Sequence, residues 1–66
     1  MKLLNTFSAS HCELFVYDTE QTFFNEHIYC ITSRNRFTDK ILIRFGTKQQ
    51  INSIIKTYHL ERQFTL

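Results

Sequence analysis

The chain has no proline, one glycine, two cysteines and no long apolar run in its 66 residues, and each shortage argues against a class of protein. With Gly46 as the only glycine and no proline, long flexible linkers are not expected. A single glycine also speaks against a phosphate-cradling loop. Gly46-Thr47-Lys48 carries the closing letters of one, without its length or its first glycine. No stretch approaches the roughly 18 apolar residues of a membrane span. The segment Met1 to Phe7 has one charge and two leucines, and Asn5 and Thr6 break its apolar run well short of a signal segment's core. The expectation is a soluble cytoplasmic protein whose Cys12 and Cys30 stay reduced.

What is present points to a folded chain. Aromatics make up 15% of the residues, too many for a disordered segment. A chain of this length reads as one domain spanning 1–66, and it buries only about 60% of the surface its unfolded form exposes. Small domains of this kind usually add a disulfide, a metal or a second copy. Charge is split by position. Residues 1–33 carry Lys2 against Glu13, Asp18, Glu20 and Glu26, a net −3, whereas residues 34–66 carry seven bases against Asp39 and Glu61, a net +5. A basic half on a small domain can meet nucleic acid or an acidic partner.

The clearest local element is a helix over about 47–59. Ile51, Ile54, Ile55 and Tyr58 fall at i, i+3, i+4 and i+7, one apolar stripe. Thr47 and Gln50 have the spacing of a capping box, Gly46 supplies backbone freedom for the turn into it, and His59 sits in the last turn, where a cation suits the dipole. The rest reads as strands at about 2–8, 12–17, 24–32 and 40–45, rich in β-branched and aromatic residues, with turns at Asp18–Thr22 and Ser33–Asp39 and a tail at 60–66 that could add an edge strand. Short polar connections imply antiparallel pairing. The fold class is α+β: a small antiparallel sheet of three to four strands with one C-terminal amphipathic helix packed on one face.

Register can be guessed further. If Tyr17 pairs with Asn25, then Leu14 faces Ile28 and Cys12 faces Cys30, two thiols side by side on one face. Two small residues filling core space is the plain account of them, and a disulfide the sharper one. Alternation places apolar side chains on both faces of the sheet: Phe15 and Tyr17 oppose Leu14 and Val16, and Ile41, Ile43 and Phe45 oppose Leu42. One helix covers one face. The other is expected to be covered by a second copy or a different protein, with the N-terminal segment and the tail as the alternative.

Little in the sequence carries enzymatic chemistry. The spacing His11-Cys12…His27-x-x-Cys30 resembles zinc-ligand spacing loosely, but on strands His11 and Cys12 point apart, and so do His27 and Cys30. His11 beside Cys12 in the chain does not place a base on the thiol. The reading is no enzyme, no metal, no cofactor and no small-molecule substrate. In size and composition the chain resembles the short inhibitors and regulators encoded by phages and mobile elements, which implies a protein that acts by occupying a macromolecule's surface.

Two binding functions remain. Protein contact sites favour aromatics and arginine, and Phe15, Tyr17, Phe23, Tyr29, Arg34, Arg36 and Phe37 are the candidates for a partner protein or a second copy. The plainer account of Phe23 is packing at a hairpin end. The alternative is DNA or RNA held by Arg34, Arg36, Lys40, Arg44 and Lys48, with Phe37 stacking on an unpaired base. Basic side chains in one loop are commonly just solvated, and a pI of 8.7 is modest for a dedicated nucleic-acid binder.

Overall fold

A computed structural model describes residues 1–66. Four strands, β1 (Lys2–Ser8), β2 (Cys12–Phe23), β3 (Glu26–Asn35) and β4 (Ile41–Thr47), form one antiparallel sheet in chain order, followed by α1 (Lys48–Thr57). This is the expected α+β architecture, with the optional fourth strand present. The strands at β2 and β3 run longer than the sequence suggested, because Asp18–Thr22 is not the turn. It continues β2, and the pairing shifts between Asp18 and Gln21, where Glu20 takes a positive φ of 62°. The chain reverses instead at Phe24-Asn25, with φ values of 50° and 64°, the two positive dihedrals of a two-residue hairpin turn.

That relocation overturns the expected register. Tyr17 lies opposite Cys30, Val16 opposite Ile31 and Cys12 opposite Asn35. An odd shift swaps which face each β3 side chain takes. Tyr29 and Ile31 therefore lie behind the helix, and Cys30 turns to the opposite face from Cys12. Both cysteines are free. The expected thiol pair, and any disulfide between them, is ruled out by geometry.

The core is built from Phe7 of β1, Leu14 and Val16 of β2, Ile31 of β3, and Ile51 and Ile55 of α1. The predicted helical stripe holds, with Ile54 packed beside the core and Tyr58 as the C-cap. The capping box forms as spaced: the Thr47 N–H donates to Gln50 Oε1 at 2.8 Å, and the Gln50 N–H donates to Thr47 Oγ1 at 3.5 Å. Gly46 serves it through space, since its φ is ordinary. A Cβ there would come within 2.7 Å of Gln50 Oε1. His59 is not in the last turn. It follows the C-cap at φ 60°, while the Leu60 N–H reaches back to the Ile55 carbonyl, the closing bond of a Schellman motif. The tail adds no strand. It turns back so that Leu60, Phe64 and Leu66 pack on the core, Asn52 bonds Leu66 in both directions, and the Phe64 ring sits 5.8 Å from Phe7. No helix is long and apolar enough to cross a membrane.

Candidate protein-binding surface

The core residues fix which side chains face away from the helix. Reading across the four strands, one row on the open face runs Leu3, Tyr17, Cys30, Phe45, and the next runs Thr6, Phe15, Thr32, Ile43. A third runs Ser8, Glu13, Arg34, Ile41 and gives this face a mixed-sign polar end. β1 lies within the sheet and the tail lies on the helix side, so neither segment covers the open face.

At the other end, Met1, Phe23, Ile28 and Phe45 line a shallow depression of about 430 Å³ together with Thr19, Gln21, Thr22 and Gly46. The tip beyond it carries Phe23 and Phe24, ring centroids 4.4 Å apart and edge to face. Phe23, Phe24 and Phe45 are 65, 86 and 61% exposed. At about 150–250 Å² per aromatic side chain they leave several hundred Å² bare. Leu3, Ile41 and Ile43 extend that area beyond the roughly 300–600 Å² of a typical monomer's largest apolar patch.

The residues singled out from the sequence divide among several places. Phe15 and Tyr17 are half-buried on the open face and Phe23 lies at its end. Tyr29 lies on the helix face, packed against the core, with the His27 ring stacked 5.0 Å away. Arg34 is on the open face and donates from Nε and Nη2 to Asp39 Oδ1 at 3.0 and 2.7 Å. Those hydrogen bonds push its pKa up, so this cation is paired already. Arg36 donates to Ser8 Oγ at 3.0 Å and lies 3.8 Å from Glu13. Phe37 projects from the loop after β3, 76% exposed, its ring 5.0 Å from His11. Asn35 Oδ1 holds that loop by accepting from the Phe37 and Thr38 N–H groups.

The basic set does not converge. Arg34 faces away from the helix, Arg44 lies on the helix face opposite Ile31, Lys40 precedes β4 and Lys48 opens α1. Ile28, Ile43 and Phe45, absent from the residues chosen by motif, complete the open face. Their signal was the period-two alternation of β3 and β4.

The chain matches no family model, no curated protein and no solved structure.

Chemically, the surface can desolvate apolar groups and stack aromatics, beside an end whose charges are paired within the chain. A second polar cluster lies on the helix side. Asp18 accepts from the Glu20 N–H at 2.7 Å and contacts His27, and chiefly through that backbone bond its carboxyl is held below its ordinary value. No serine, threonine or cysteine is paired with this His–Asp couple through any side-chain hydrogen bond.

Proposed function

We propose that the chain is a non-catalytic protein-binding module of the inhibitor or regulator type, acting in the cytoplasm by laying the open face of its sheet on a partner protein. The uncovered face supports this reading: Leu3, Tyr17 and Phe45 stand in one row around the buried Cys30, and Glu13 lies opposite Arg34 in register at a charged end. An apolar centre with a polar rim is the anatomy of a protein interface. The nucleic-acid reading has less support. Its two leading arginines already hold Asp39, Glu13 and Ser8, and the remaining cations point to different sides of the molecule. The test is affinity capture from source cells, with and without nuclease, using the native chain, Tyr17→Glu and the Arg34→Ala/Arg36→Ala pair. The expected result is a bound protein that resists nuclease, survives the arginine changes and drops at least tenfold with Tyr17→Glu. Capture that disappears with nuclease and with the arginine pair overturns the proposal.

A further inference from the structure

The two edges of the sheet are built differently. At β1 the pairing slips between Leu3 and Asn5, Lys2 opens the strand, and Asn5 Oδ1 accepts from the Thr6 N–H at 2.8 Å. A bulge, a lysine and a side chain occupying backbone are devices that keep an edge from pairing. β4 has none of them. From Ile41 to Thr47 its register with β3 is unbroken, and Arg44 is its only charge. Ile41, Leu42, Ile43 and Phe45 are 57, 67, 59 and 61% exposed, and they alternate between both faces of the strand. A strand bare on both faces and along its outer backbone lacks a neighbouring strand.

We propose that β4 pairs antiparallel with β4 of a second copy, about a twofold axis through Ile43. Charge and apolar contact together select the register. An axis through Arg44 would set two guanidinium groups opposite each other, and one through Leu42 would set Lys40 against Arg44, both like-charge pairs. Slipping by one residue in either direction places Arg44 opposite Ile43 or Ile41, among the apolar side chains of the open face. With the axis at Ile43, Arg44 lies opposite Leu42 of the second copy. Ile41, Ile43 and Phe45 then meet Phe45, Ile43 and Ile41 of that copy, six apolar side chains in one cluster. The ladder continues through eight strands, both helices stand on the same side, and the open face doubles in width while remaining uncovered. The dimer is therefore separable from the surface that takes a partner protein.

Light scattering on the native chain should give twice the 8.0 kDa monomer mass. Ile43→Lys brings two ammonium groups together on the axis and should halve that mass, with a thermal melt showing that the monomer is folded. Register is read in a Cys12→Ser background by mild oxidation. Ile43→Cys should cross-link to a covalent dimer, because directly opposed Cα atoms lie about 4.5–5.5 Å apart. Ile41→Cys should not, because its two copies stand about 13 Å apart along the strands. A monomer at the highest soluble concentration overturns the proposal, and so does a dimer cross-linked by Ile41→Cys and not by Ile43→Cys. A monomer that still loses its partner with Tyr17→Glu would leave the open-face reading standing and remove only the edge pairing.

Discussion

Phe24 is held where a bulky residue is costly. Its φ of 50° lies in the left-handed region, which costs roughly 1–2 kcal/mol for a side chain with a Cβ. The ring recovers part of that against Phe23, but an aromatic pair is worth about 0.5–1.5 kcal/mol, and at 86% exposure the lower end applies. Phe24→Asn substitutes a residue that tolerates the conformation. It should raise stability by up to about 1 kcal/mol, visible as a melting shift of about 4–8 °C. A fall in melting temperature would mean that the aromatic pair outweighs the strain. Asp18 makes the opposite contribution. Its folded pKa is depressed below the ordinary 3.8, so it stabilises the chain at pH above that value and loses the contribution as pH falls through the folded pKa. Asp18→Asn should lower the urea midpoint at pH 7, and the gap to the native chain should close as pH falls through the folded pKa of Asp18. A gap that acid leaves unchanged would remove the carboxylate from the account.

At the scale of elements, the helix was legible and the long hairpin was not. Helix α1 has its stripe, its cap and its spacing within a dozen residues, all local interactions that tertiary context did not override. Strand β4 was likewise marked by its β-branched and aromatic run, whereas β1, with Thr6 its one β-branched residue, was legible only as an optional fourth strand. The hairpin misled because Asp18, Thr19, Glu20, Gln21 and Thr22 have turn chemistry yet lie in a strand, where the polar run is accommodated by a bulge. The true turn, Phe24-Asn25, has no glycine and only Asn25 as a turn-former. Nothing local distinguishes a bulged strand from a turn when both are polar and exposed. The consequence reached the site, since parity of register decides which residues stand together on a face. Strand alternation alone paired Phe15 with Tyr17 and Ile43 with Phe45, but putting those two pairs on one face, and Tyr29 on the other, needed the cross-strand register. The loop arginines were visible as bases, but their ties to Asp39 and Ser8 depend on how β3, the following loop and β1 meet.

The whole molecule is a slab of 38 × 24 × 16 Å, one sheet under one helix. Two layers enclose a single core, and the six buried residues of that core leave little surplus stability. The tail matters for that reason. Leu60, Phe64 and Leu66 close the helix side beyond the reach of α1, and Asn52 fastens the end through two hydrogen bonds. Full truncation of a buried phenylalanine costs about 3–5 kcal/mol. Phe64 is half-buried, so Phe64→Ala should cost about 2 kcal/mol, or about 8–16 °C of melting temperature at this chain length. In a domain whose core supplies no more than about 3–5 kcal/mol, that is a large share of the total. The loss should appear as an earlier single transition, because Phe64 meets Phe7 on β1 and so couples the tail to the far edge of the sheet. A melt that keeps its midpoint and gains a separate low-temperature step would show the tail fraying independently. The two outcomes differ in whether α1, the tail and the sheet beneath them melt as one cooperative unit.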